Sequence, residues 1–122
     1  MKIKVLKQEF SVCKVRDFSG VFWEDEFCFV GKTDEEKSVV CCTEYVPDDT
    51  LEREDGFRGF RIEGVLDFSL IGILAGISSV LAEAEVGIFV VSTYNTDYVL
   101  VRREQFSRGL EVLGKAGYEI CR

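Results

Sequence analysis

A change of hydrophobic period within one stretch limits this chain more than any other feature. Residues 57–65, FRGFRIEGV, alternate, with Phe60 and Ile62 on one side and Arg61 and Glu63 on the other. That is the pattern of a half-buried strand. The next residues, LDFSLIGILAGISSVLAEA (66–84), set Leu70, Ile73, Leu74, Ile77, Val80, Leu81 and Ala84 at helical spacing, giving one apolar stripe. Gly87 then opens a strand at IFVVS (88–92), a polar link follows, and DYVLVRR (97–103) reads as another strand. In EQFSRGLEVLGKAG, Phe106, Leu110 and Leu113 repeat at helical spacing, and Gly117 is placed to end that helix in the left-handed conformation. YEICR closes with a short strand. The order βαββαβ predicts an α+β, ferredoxin-like plait, an antiparallel sheet with two helices on one face.

Within the first helix, Asp67 and Ser69 both suit the N-cap position. Gly72 and Gly76 fall inside it, each costing roughly 1 kcal/mol relative to Ala. They share a face, so close packing on the sheet, or access for a ligand, is the expected compensation.

The N-terminal half repeats the element order with shorter connections. EFSVCKV (9–15), EFCFVGK (26–32) and KSVVCCT (37–43) read as strands, and TDEE (33–36) as a tight hairpin turn. RDFSGVFWED has room for a helical turn, with Phe22 and Trp23 packed. PDDTLEREDG (47–56) is polar and acidic and holds the single proline, so it reads as a loop or brief helix and as a boundary. The expected organisation is two plaits in tandem, a degenerate one over 1–56 and a complete one over 57–122.

Composition narrows the chemistry. The formal charge of −7 disfavours nucleic acid and anionic membranes, which need Lys and Arg. There is no histidine, so the commonest general base and the usual partner of a Ser or Cys nucleophile are missing. The five cysteines include no C-x-x-C pair, which argues against zinc, and they lie among strand residues as small buried hydrophobes. MKIKVLKQEF carries charges where the apolar core of a signal peptide would lie, and no apolar run approaches the ~20 residues of a membrane span. The expectation is a cytoplasmic, non-catalytic protein with free thiols, without cofactor or metal.

The span from VVCCTEYVP through FRGFRIEGVLDFSLIGILAGISSVLAEAEVGIFVVSTYNTDYVLV resembles ACT domains. Among them it is similar to tandem-ACT proteins of the CASTOR type and to aspartate kinase regulatory regions. The resemblance rests on EGVLDFSLIGIL, where first strand meets first helix, and STYNTDYVLV, where second strand meets third. It implies a regulatory module that binds a free amino acid near that first loop, often between two ACT units. Pairing of units side by side implies a homodimer.

An amino acid needs an anion hole beside an anion. The backbone N–H groups around Phe68, Ser69, Leu70 and Ile71 would supply the first at a helix N-terminus. Gly64 would let the chain approach closely, and the Ser69 hydroxyl can add a donor. By the resemblance Asp97 is a ligand contact, an acceptor for the α-ammonium or a cationic side chain. Asp67 stands in the other motif. Each has a plainer reading, Asp67 as an N-cap and Asp97 as a turn residue closing the link between strands. Asn95 and Thr96 read as turn residues, and Tyr94 and Tyr98 as candidate pocket walls. The competing functions are an amino-acid sensor and a ligand-free module that keeps the fold for protein interaction.

Overall fold

Alternating apolar residues produce seven strands, and two amphipathic stretches produce two helices, in the computed structural model, which describes residues 1–63 and 72–122. The strands are β1 (Lys2–Val15), β2 (Cys28–Lys32), β3 (Lys37–Cys42), β4 (Glu52–Ile62), β5 (Phe89–Ser92), β6 (Asp97–Arg102) and β7 (Glu119–Cys121). The helices are α1 (Ile73–Glu83) and α2 (Arg103–Lys115), and a 3₁₀ turn spans Thr43–Tyr45. The chain divides into two compact units, Met1–Lys7 with Arg58–Arg122, and Gln8–Phe57.

The first unit has the strand order β5-β6-β4-β1-β7. Its core takes Ile3 and Val5 from β1, Phe60 and Ile62 from β4, and Val99 and Val101 from β6. Each pair is two residues apart, so all lie on one sheet face. Ile77 and Leu81 of α1 and Phe106, Leu110 and Leu113 of α2 close over that face. The expected α1 stripe is thus the packed one, with Ile73, Leu74, Val80 and Ala84 at its margin. Leu70 lies outside the described residues. Arg58 stands 4.8 Å over the Phe106 ring and donates to the Leu6 carbonyl at 3.0 Å, using its cation to join β4, α2 and β1.

One strand departs from a simple plait. β7 pairs in parallel with β1, Ile3 opposite Ile120, instead of lying beside β4. The edge of β4 is already taken there, since Glu63 N–H donates to the Lys2 carbonyl at 2.9 Å. The last strand therefore adds to the far edge of β1.

Both helices end in the same hydrogen-bonded motif. At α2, Gly117 has φ 104, and Tyr118 N–H reaches the Leu113 carbonyl at 3.1 Å. At α1 the equivalent bond is Val86 N–H to Leu81, 2.9 Å, but the left-handed residue is Glu85, φ 62. The two interior glycines expected in α1 separate in role. Gly72 is its N-cap, at φ 81, a conformation glycine adopts cheaply. Gly76 is interior, and a Cβ there would stand 3.1 Å from the Tyr118 hydroxyl, so the compensation is room for Tyr118. The expected caps Asp67 and Ser69 lie outside the described residues.

The second unit has the order β2-β3-β1-β4. β3 pairs antiparallel with both β1 and β2. Val15, Val21, Val39 and Cys41 form its core, with Phe18, Cys28 and Val46 against them. The TDEE turn is as expected, with Thr33 N–H bonded to the Glu36 carbonyl at 2.9 Å. No helix forms over 16–27, where turns carry the chain instead. Phe22 and Trp23, expected to be packed, stay 43% and 57% exposed, each against a ring: Tyr45 lies 4.6 Å from Phe22 and Phe18 lies 6.4 Å from Trp23. Residues 52–56, expected in a loop, begin β4.

Candidate ligand site

The polar link between β5 and β6 is a hairpin built around a two-residue tip, Tyr94 and Asn95. Thr93 N–H donates to the Thr96 carbonyl at 2.9 Å, making Thr93 and Thr96 a hydrogen-bonded pair. The next pair outward, Ser92 opposite Asp97, is then a non-bonded one, where facing side chains approach closest. The Ser92 hydroxyl uses that approach and donates to Asp97 Oδ1. Asp97 is half-buried at the first position of β6.

Thr96 does what the sequence reading missed. Its side chain is buried, and its hydroxyl donates to the Ile62 carbonyl at 2.8 Å. This bond ties the hairpin to the end of β4, immediately before the EGVLDFSLIGIL motif reaches Gly64. The bond fixes the STYNTDYVLV hairpin to the end of β4, the strand that precedes the other motif in sequence. Asp97 is the one candidate among the described residues. Gly64, Asp67, Phe68, Ser69, Leu70 and Ile71 lie outside them. Among the described residues α1 follows its N-cap Gly72, and Gly76 N–H donates to the Gly72 carbonyl at 2.9 Å. Tyr94 is 80% exposed at the hairpin tip, whereas Tyr98 is half-buried in β6.

The second unit carries a groove of about 420 Å³ lined by Gln8, Glu9, Cys42, Thr43 and Glu44. Thr43 connects it to a polar ladder across the sheet. The buried Ser11 hydroxyl lies 2.9 Å from the Thr43 hydroxyl and donates to Asp55 Oδ1, which also takes Arg53 Nε at 2.8 Å. The Arg53 bond, then the Ser11 bond, holds the Asp55 carboxyl below its ordinary value. Burial, then a hydrogen bond with Asp25, pushes the Cys42 thiol up to about 12, so it rests protonated at neutral pH. Among the described residues no group of three or more His, Cys, Asp or Glu side chains is arranged to hold a metal ion, and no helix is long and apolar enough to cross a membrane.

A family model described as an ACT domain matches residues 52–115, just over half of the chain. No curated protein matches the sequence significantly. Among solved structures, a protein from Agobacterium tumefaciens is 28% identical with a TM-score of 0.83, covering 98% of this chain and 90% of that one. The regulatory subunit of aspartate kinase from Thermus thermophilus, in ligand-free form, is 10% identical with a TM-score of 0.66, covering 96% of this chain and 97% of that one. An aspartate kinase from Clostridium acetobutylicum, described as allosteric, is 15% identical with a TM-score of 0.68, covering 93% of this chain and 33% of the enzyme. The last two likenesses establish fold.

Proposed function

From the premise that this chain belongs to the ACT domain family, we propose that it is a non-catalytic regulatory protein that binds a free amino acid. The observation that supports this is the Thr96–Ile62 bond, which ties the Asp97 hairpin to the end of β4. In this reading Asp97 is the acceptor for the α-ammonium, and backbone N–H groups of Phe68, Ser69, Leu70 and Ile71 would be donors for the α-carboxylate. Binding would favour one packing of ACT units over another and so alter association with a partner. Gly64, Asp67, Phe68, Ser69, Leu70 and Ile71 complete the proposed site.

The tandem organisation, a degenerate ACT-like unit before the complete one and a sensor of the CASTOR type, belongs to the same proposal. Its support is the second unit's order β2-β3-β1-β4, which is that of a βαββαβ plait whose two helices have shrunk to turns. A homodimer through ACT–ACT pairing is also proposed, with the edge strand β5 and its exposed Phe89 as candidate contacts.

A second reading has an observation behind it. Ser92 already occupies one oxygen of Asp97, as in a hairpin that keeps its carboxylate for itself. A ligand-free interaction module would look this way. Thermal melts against each of the twenty amino acids at millimolar concentration separate the two. A ligand at about 100 times its dissociation constant adds about 2.7 kcal/mol and raises the midpoint by several degrees. The sensor reading expects such a shift with one or two amino acids, its loss in Asp97→Asn, and an unchanged midpoint for that variant without ligand. A flat panel from folded protein would defeat it. Sedimentation of the same samples tests the dimer, which a single monomeric species throughout would rule out.

A further inference from the structure

In the second unit three cysteines share one sheet face. Cys28 of β2 stands directly opposite Cys41 of β3. Cys13 of β1 stands opposite Val39, one step along from Cys41 on the same face. Cys42 points to the other face, opposite Phe10. All five thiols of the chain are free.

The hairpin turn decides which kind of pair Cys28 and Cys41 make. Thr33 and Glu36 are hydrogen-bonded. Bonded and non-bonded pairs alternate along an antiparallel ladder. Lys32 and Lys37 are then non-bonded, Gly31 and Ser38 bonded, Val30 and Val39 non-bonded, Phe29 and Val40 bonded, and Cys28 and Cys41 non-bonded. In a non-bonded pair the Cα atoms lie about 4.5 Å apart and the side chains approach closest. That separation is within the range of about 4.4–6.8 Å that a disulfide bridges. The diagonal neighbour Cys13 is farther from Cys41, at a spacing of about 7–8 Å for such positions.

We propose that Cys28 and Cys41 are an oxidation site that takes up two oxidising equivalents from a hydroperoxide and closes as a disulfide across the β2–β3 hairpin. Cys28 is half-buried and Cys41 is 4% exposed, so Cys28 meets the oxidant first. Its thiolate attacks one peroxide oxygen, the O–O bond breaks, and the leaving hydroxide takes a proton to give water and a sulfenic acid at Cys28. Cys41 sulfur then attacks the sulfenic sulfur, loses its proton and expels a second water. Two thiols and one hydrogen peroxide become one disulfide and two waters. The crosslink fixes β2, which is the edge strand of its sheet, to β3. Burial raises both thiols, so the first step is slow at neutral pH and a low oxidant dose leaves the site reduced.

The test is direct. The reduced protein is treated with hydrogen peroxide, its remaining thiols are alkylated in denaturant, and the unreduced digest is mapped by mass spectrometry. The expected product links Cys28 to Cys41 and leaves Cys13, Cys42 and Cys121 alkylated. It melts several degrees higher than the reduced protein, a gain that dithiothreitol reverses and Cys28→Ser lacks. Five alkylated thiols, a crosslink from Cys13 or between chains through Cys121, or over-oxidised Cys28 without a crosslink would each overturn the proposal.

Discussion

The Thr96 side chain is 6% exposed, and its hydroxyl holds the Ile62 carbonyl at the end of β4. Thr96→Val keeps the shape and removes the donor, leaving that carbonyl without this bond. A loss of about 1–3 kcal/mol is expected, read from urea denaturation, with Thr96→Ser recovering most of it. Ser92→Ala, at an exposed position, should stay within about 0.5 kcal/mol of the parent protein. The sequence could not separate these residues. STYNTD contains five side chains that suit a turn, and what distinguishes Thr96 is its nearness to a carbonyl 34 residues away. Asp97 was legible as a candidate, but its Ser92 partner depends on a pair type that only the closing bond at Thr93 fixes. The ladder from Ser11 to Arg53 was equally hidden, since Ser11 sits in a strand of apolar neighbours and Asp55 in a stretch that reads as loop.

At the scale of elements, the two helix ends offer a matched comparison. Both chains leave through a left-handed residue, Gly117 after α2 and Glu85 after α1. A side chain in that conformation costs roughly 1–2 kcal/mol, partly offset in glycine by its greater freedom when unfolded. Gly117→Ala should therefore destabilise by about 1 kcal/mol, and Glu85→Gly should stabilise by roughly 0.5–1 kcal/mol, both measurable by thermal or urea unfolding. Equal signs for the two would contradict this account. Periodicity and punctuation made most elements readable: the α1 stripe, α2 with Gly117, and the TDEE turn. Two strand ends were not. Glu52, Arg53, Glu54 and Asp55 are poor strand formers by composition, yet pairing with β1 begins at Leu51, whose N–H donates to the Lys14 carbonyl at 2.7 Å. In β1, Lys2 and Lys4 alternating with buried Ile3 and Val5 were signal enough for a start earlier than residue 9.

For the whole molecule, acidity and stability pull in opposite directions as pH falls. The net charge of −7 shrinks towards the pI of about 4.7, which relieves self-repulsion. Below that, Asp17 and Asp55 lose folded-state hydrogen bonds as they protonate. Ser19 holds the first below its ordinary value of 3.8, and Arg53 with Ser11 holds the second. Both protonate less readily when folded than when unfolded, so their contribution is complete above 3.8 and is lost as pH falls through their lower folded values. The melting midpoint should hold from neutrality to near the pI and drop below about pH 4. Asp55→Asn should lower the midpoint at pH 7 and flatten the acid limb, and an unchanged limb would remove Asp55 from the explanation. The pairing of β7 with β1 has a consequence for how the protein is made. Residues 8–57 are contiguous and can collapse while the ribosome is still at work. The N-terminal strand, by contrast, meets Glu119–Cys121 only after every intervening residue has been synthesised. Its outer edge stays an open template until those residues have emerged, so faulty association through it belongs to the interval before β7 is made.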